Sequence, residues 1–109
     1  MNRIISNGTE HYLTGCNMKV IERDWRSVMG VADFVCIDRG AVVLVNVRIR
    51  LAPSAADNEV TAAEKTDYRR IALFYLAMHP EVESVRYDLI TMNIRTDKIT
   101  KLTVGTYQA

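Results

Sequence analysis

The side chains of this sequence that could do chemistry stand in two neighbouring apolar segments. Residues 31–37 contain one polar side chain, the carboxylate of Asp33. Residues 41–51 are rich in valine but also carry Asn46, Arg48 and Arg50. A carboxylate among apolar side chains is costly unless it meets a cation or several hydrogen-bond donors. Arginines can bind phosphate groups, and an amide can bond to a neighbouring charge, so these few residues are the candidates for a site.

Two β-strands joined by a tight turn would bring these side chains together. The turn is Asp-Arg-Gly at residues 38–40, with glycine where a positive φ is needed. Counted from the turn, Asp33 stands five residues before it and Asn46 six residues after it. Because side chains alternate along a strand, Asn46 shares one face with Arg48 and Arg50, opposite a face of valines. We therefore predict that Asp33 lies close to Asn46.

The remaining segments predict a single α/β domain over residues 1–109. They are a short or frayed helix in residues 4–16, a strand at 19–25, a loop at 51–59, and strands at 85–94 and 99–104. A stronger helix follows the loop, because Thr61 and Glu64 form a capping box and an apolar stripe runs from Ala63 to Met78. Pro80 ends this helix by His79. The predicted order is α-β-β-β-α-β-β.

Composition and charge exclude several classes of protein. The chain has 14 Lys and Arg against 13 Asp and Glu, so any attraction to nucleic acid must come from a local patch. With 49% hydrophobic and 25% charged residues, it is neither disordered nor a charged tail. No apolar run approaches a membrane span or a secretory signal, so we expect a cytoplasmic protein with no membrane partner. Two cysteines, Cys16 and Cys36, are too few for a disulfide framework, and Cys36 is expected to be a buried apolar residue.

Two motifs in the predicted hairpin carry a family resemblance. The chain reads Gly-Val-Ala-Asp-Phe-Val at residues 30–35 and Leu-Val-Asn-Val-Arg at residues 44–48. These resemble Gly-Glu-Ile-Asp-Leu-Ile and Phe-Val-Glu-Val-Lys of the YraN family, small bacterial proteins related to Holliday junction resolvases. Weaker patterns at residues 17–26, 60–64, 72–76 and 86–88 follow in the family's order. The resemblance covers roughly residues 12–104 and implies a restriction-endonuclease-like fold, with a mixed central sheet flanked by helices.

The resemblance also implies where a nuclease site would stand. In active members of such families, an aspartate of the second strand and a glutamate of the third hold Mg²⁺. A lysine two residues later orients or activates the attacking water. The corresponding positions here are Asp33, Asn46 and Arg48, so two of the three are substituted. Mg²⁺ prefers anionic oxygens, and an arginine stays protonated, so we expect the catalytic chemistry to be degenerate and no cofactor to be bound.

An alternative keeps the nuclease active. A carboxylate from the neighbouring helix, Glu64 or Asp67, could take the place of the missing glutamate, as happens in some restriction-endonuclease-like sites. In that case Mg²⁺ or Mn²⁺ would bind at Asp33 together with the relocated carboxylate. Whether the protein is an enzyme, a metal-dependent DNA endonuclease, stays open at this point.

The arginines also admit two interpretations. They could line a phosphate-binding face, or they could be charges on a solvated strand edge that discourage aggregation. The residues concerned are Arg26, Arg39, Arg48 and Arg50. The first interpretation predicts a protein that binds DNA, with branched DNA as the candidate substrate. The second predicts a protein-interaction module with a vestigial cleft, and by analogy with other nucleases a homodimer.

Overall fold

The computed structural model describes residues 1–51 and 59–109, and in these ranges the chain forms two helices and five strands. They are α1 (Arg3–Gly15), β1 (Lys19–Ser27), β2 (Gly30–Asp38), β3 (Ala41–Arg50), α2 (Ala62–Met78), β4 (Ser84–Asn93) and β5 (Lys98–Gln108). The predicted α/β class and the order α-β-β-β-α-β-β are confirmed. Most of the loop predicted at residues 51–59 lies outside the described residues.

The five strands form one mixed sheet in the order β1-β2-β3-β4-β5. Neighbouring strands are antiparallel except β3 and β4, which are parallel. Parallel strands need a crossover connection, and α2 lies between them in the chain. In the parallel register, Leu44 faces Tyr87, Asn46 faces Leu89, and Arg48 faces Thr91.

Each face of the sheet has its own apolar core. The core on the α2 side contains Ala32, Val35, Leu44, Ile71, Ala72, Tyr75, Leu76, Val85 and Tyr87. The core on the α1 side contains Leu13, Met18, Phe34, Cys36, Val43, Val45 and Ile90. The predicted alternation along β3 is therefore confirmed. Cys36 is buried as predicted, and burial raises the pKa of its thiol to about 12, so it is not a nucleophile at neutral pH.

Tertiary packing changes both helices relative to the sequence prediction. The N-terminal helix is continuous over 13 residues rather than short or frayed, because Thr9 and Leu13 are buried against the sheet. The α2 capping box is confirmed, and the helix ends at Met78 with His79 as its cap. Met78 was predicted to lie on the buried stripe but is exposed, and Leu76 is buried in its place. Neither helix of the described ranges is long and apolar enough to cross a membrane.

Gly30, at the start of β2, sits where the chain presses against α2. Its φ is +139°, and a Cβ built there would lie 2.8 Å from Cδ1 of Ile71. Only glycine adopts this backbone conformation without strain. The turn between β1 and β2 is thereby packed on the middle of α2.

Replacing Gly30 by alanine is expected to lower the free energy of unfolding by about 1–3 kcal/mol, from backbone strain together with the contact to Ile71. Chemical denaturation measures the loss. Gly40→Ala is the matched control, because Gly40 also has a positive φ (+84°) but no atom within 4 Å of a Cβ built there. Equal losses in the two variants would show that the contact with Ile71 costs nothing.

Candidate functional site

The β2–β3 hairpin stops pairing through its backbone where Asp33 and Asn46 stand. Backbone pairing runs from Asp38 and Ala41 at the turn to Phe34 and Val45. At the next position, hydrogen bonds between side chains and backbone join the two strands instead. The Asp33 backbone N–H donates to Asn46 Oδ1 at 3.2 Å, and the Val47 N–H donates to Asp33 Oδ2 at 2.8 Å. The predicted proximity of Asp33 and Asn46 is therefore observed.

The Asn46 side chain joins three strands. Its Oδ1 accepts from the Asp33 N–H on β2 and from the Tyr87 hydroxyl on β4, the latter at 2.8 Å. Its Nδ2 donates to the Val31 carbonyl on β2 at 2.9 Å. An amide can donate and accept at once, whereas an ionised carboxylate can only accept. The residue type at position 46 therefore fits this set of partners, and a glutamate or aspartate would not.

The Asp33 carboxyl is mostly shielded from water. Burial raises its pKa above the ordinary value of 3.8, and the hydrogen bond from the Val47 N–H offsets part of that rise. The positive charge of the chain's amino terminus lowers the pKa, and the negative charge of Asp24 raises it. In the described part of the chain, no cation forms an ion pair with Asp33. Its principal support is thus a backbone N–H of β3.

Arg48 links β3 to β4 and to the first turn of α2. Its Nε donates to Thr91 Oγ1 at 2.7 Å, and its guanidinium pairs with Glu64 Oε2 at 3.3 Å. The Arg48 side chain is only 10% exposed. Glu64 also accepts from the Thr61 N–H through Oε1, and this hydrogen bond is the largest cause of its lowered pKa, to which Arg48 also contributes. One carboxylate therefore serves both the helix cap and the ion pair.

Two stacked tyrosines stand beside these polar groups. The rings of Tyr68 and Tyr87 lie 4.8 Å apart at 26°. Burial raises the pKa of Tyr68, and the charges of Glu64, Arg48 and Asp33 act on it as well. Tyr68 thus stands among the ion pair and the Asp33 carboxylate. The contact of Tyr87 with Asn46 was not predicted, because it depends on the parallel register of β3 and β4.

One of the two interpretations placed four arginines on a single phosphate-binding face, but they lie at opposite ends of the hairpin. Arg48 and Arg50 end β3 at the same end of the hairpin as the β1–β2 turn, where Arg26 is exposed and paired with Asp24. Arg39 occupies the turn at the other end of β3, about 30 Å away along nine residues of extended strand. Asp67, the second relocated-carboxylate candidate, is exposed on α2.

The two predicted metal-binding carboxylates already have protein partners. Asp33 accepts from Val47, and Glu64 is shared by Thr61 and Arg48. The described ranges contain no group of three or more His, Cys, Asp or Glu side chains placed to hold a metal ion. The polar groups next to the Asp33 carboxyl are the neutral Asn46 amide and the Val47 N–H. Neither supplies the second anionic oxygen that a hard divalent cation prefers.

The element order and the mixed five-stranded sheet are those of a restriction-endonuclease-like α/β domain. The family model described as Uncharacterised protein family UPF0102 matches residues 7–92. The chain therefore belongs to this family, which is the YraN family, and the resemblance seen in the sequence is confirmed.

Individual relatives are distant but cover most of the chain. A UPF0102 protein of Mycolicibacterium vanbaalenii is 30% identical over 95 residues, which is 84% of this chain and 78% of the relative. A UPF0102 protein of Kineococcus radiotolerans is 34% identical over 86 residues, covering 75% of this chain and 70% of the relative. One of Mycolicibacterium gilvum is 33% identical over 97 residues, covering 84% and 79%.

Replacing Asn46 by aspartate is expected to lower the free energy of unfolding at pH 7 by about 1–3 kcal/mol, because the Val31 carbonyl loses its donor. The loss should shrink in acid, where a protonated carboxyl can donate again. Denaturant unfolding at pH 7 and pH 4 measures both effects. Asn93→Asp is the matched control: Asn93 is buried, but its Oδ1 accepts from two backbone N–H groups, which a carboxylate would also satisfy. Equal losses for the two variants would contradict the role of the Asn46 amide as a donor.

Asp33→Asn is expected to stabilise the protein at neutral pH, because the amide can still accept from Val47 without burying a charge. The folded-state pKa of Asp33 lies above its unfolded value. The wild type therefore loses stability relative to the variant as the pH rises from about 4 through the folded pKa. The two proteins should converge below the unfolded pKa. Urea titrations of both proteins from pH 3.5 to 7.5 test this, and a stability difference independent of pH would contradict it.

Proposed function

We propose that this protein binds nucleic acid on a nuclease scaffold without cutting it. The observation that carries the proposal is the environment of Asp33. At the position where the family's second metal carboxylate is expected, the Asn46 amide is fully engaged with Val31, Asp33 and Tyr87. The site keeps its position on the fold but not the paired negative charges that a catalytic metal requires.

The residue at the position of the family's lysine, Arg48, supports the same conclusion. An arginine side chain, unlike the lysine of the family pattern, does not serve in proton transfer to or from an attacking water. The Arg48 guanidinium is also mostly buried between Thr91 and Glu64. The relocated-carboxylate alternative would need Glu64 to leave both the helix cap and Arg48. A metal at that place would therefore have to break contacts that stabilise α2.

Several further cationic side chains stand around this end of the sheet, and such groups can bind phosphate without a metal. Arg50 ends β3, and its backbone carbonyl accepts from Ile94 in the turn after β4. The same turn carries Arg95, and Lys98 follows it at the start of β5; both side chains are exposed. The exposed pair between Arg26 and Asp24 is worth little in water, so Arg26 can exchange its partner for a phosphate. Ligands of open α/β sheets bind at the carboxyl ends of parallel strands, which is where Arg50 and Arg95 stand.

The candidate ligand is DNA, with branched DNA preferred on the analogy with junction resolvases. Phosphate contacts give affinity without sequence specificity, so the backbone geometry of the DNA would decide any preference. We place this protein in the cytoplasm as part of the same proposal.

A salt titration of binding to a four-way junction and to a linear duplex tests this function. Affinity is expected to fall steeply with salt, because phosphate contacts release counterions. The double variant R26A/R50A should bind about tenfold more weakly than wild type with a shallower salt dependence, whereas Arg39→Ala, at the other end of the hairpin, should bind like wild type. No binding at low salt, or equal losses in both variants, would contradict the proposed surface.

Cleavage is tested separately on the same DNA with Mg²⁺ and with Mn²⁺ from pH 6 to 9. No hydrolysis above the protein-free rate is expected. Metal-dependent cleavage that is lost in Glu64→Gln would instead establish the relocated-carboxylate nuclease.

A further inference from the structure

An aliphatic cleft lies between the start of α1 and the turn that joins β4 to β5. Its volume is about 480 Å³, which is within the range of small-molecule sites. Its apolar walls are contributed by Ile4, Ile5, Met92, Ile94 and Ile99. Met92 and Ile99 pack on the core of the α1 side, whereas Ile4 is 79% and Ile94 53% exposed. The described walls carry no aromatic ring, so they suit an aliphatic chain. We call this site the α1 cleft.

Asn93 lines the α1 cleft and has a buried amide that is only partly satisfied. The residue is 5% exposed. Its Oδ1 accepts from the N–H groups of Arg95 at 3.1 Å and Thr96 at 3.2 Å. Across the described ranges, its Nδ2 group donates to no acceptor. Buried donors without a partner are costly and few in native structures. An acceptor from outside the chain would complete this amide.

The other polar groups of the α1 cleft favour an acceptor that is negatively charged. The N-terminal end of α1 lines the cleft through Asn2 and Ile5, and the first turn of this helix has no acidic residue. The partial positive charge of a helix N-terminus attracts anions. Lys98 also lines the cleft and, among the residues that the structure describes, forms no ion pair. The acid of the described lining, Asp97, offsets Lys98, so the helix start and the Asn93 amide decide the preference.

We propose that the α1 cleft binds a small aliphatic carboxylate. The chain of this ligand packs on the isoleucines and Met92, and its carboxylate accepts from the Asn93 amide and faces the start of α1. The apolar walls account for the chain, the unsatisfied amide for an acceptor, and the helix start for the charge. Nucleic acid has no aliphatic chain to fill these walls, so the ligand differs from that of the function proposed above.

Calorimetric titration of the full chain with straight-chain carboxylates tests this binding, without DNA and below the concentration at which the ligand forms micelles. Affinity is expected to rise about fourfold for each methylene from butanoate to octanoate, because each one is buried against apolar walls. Octanol, which has no charge, should bind about tenfold more weakly than octanoate, and octylamine more weakly still. Equal affinities for these three compounds would overturn the proposal. Because no DNA is present, either result leaves the test of nucleic-acid binding independent.

Asn93→Asp is the most informative variant. A carboxylate can still accept from the two N–H groups of the turn, but it removes the free donor and adds a like charge. The variant should therefore fold with wild-type stability and bind octanoate at least about tenfold more weakly. Asp97→Asn should bind about threefold more tightly, because an acid leaves the lining, and asparagine tolerates the φ of +56° at this position. Lys65→Ala is the matched control and should bind like wild type, because Lys65 is an exposed lysine of α2 outside the cleft.

Nuclear magnetic resonance locates the ligand. The side-chain amide signals of Asn93 should shift on addition of octanoate, together with the methyl signals of the isoleucines that line the cleft. A wild type that binds no octanoate at millimolar concentration would overturn the proposal. So would an N93D variant that folds and binds like wild type, or signal shifts confined to residues outside the cleft.

Discussion

The amide of Asn46 is the contact on which the centre of this fold depends. Backbone pairing between β2 and β3 ends at Phe34 and Val45, and the strands would be free to separate beyond that point. The Asn46 side chain, which accepts from β2 and β4 and donates to β2, holds them together there with the Asp33 carboxyl, which accepts from Val47 on β3. Asn46 thereby ties the Asp33 backbone and the Tyr87 hydroxyl to the same point of β3. A buried polar network of this kind specifies one arrangement only when every member is satisfied, and here each partner of Asn46 has its hydrogen bond.

The same positions hold different side chains in the family's nuclease pattern and in this protein. Two ionised carboxylates that face each other repel unless a cation lies between them or one of them takes up a proton, so a metal site carries electrostatic repulsion when the metal is absent. An amide beside a carboxylate has no such requirement. Arg48 likewise forms an ion pair with Glu64, whereas the family's lysine is expected to act on the attacking water. The substitutions are thus mutually consistent: each exchanges a group that needs a ligand for one that is satisfied within the chain.

The sequence was informative wherever the determining contacts are local. The Asp-Arg-Gly turn and the alternation of β3 predicted the hairpin, and Thr61, Glu64 and Pro80 predicted the bounds of α2. Contacts set by the parallel pairing of β3 and β4 could not be predicted, because no local pattern specifies that Tyr87 aligns with Leu44. For the same reason the second partner of Glu64 was missed, although its part in the capping box was evident. A short or frayed first helix was predicted, but the burial of Leu13 outweighs the weak helix preference of the glycines at positions 8 and 15.

The Glu64 carboxylate couples the N-terminal cap of α2 to the ion pair with Arg48. If the first turn of α2 frays, the carboxylate leaves the Thr61 N–H and Arg48 together, while Arg48 keeps its contact with Thr91 on β4. Conversely, an anion that draws Arg48 away removes a counter-charge from the helix cap. Opening of this helix end is therefore linked to the electrostatics of the sheet beneath it.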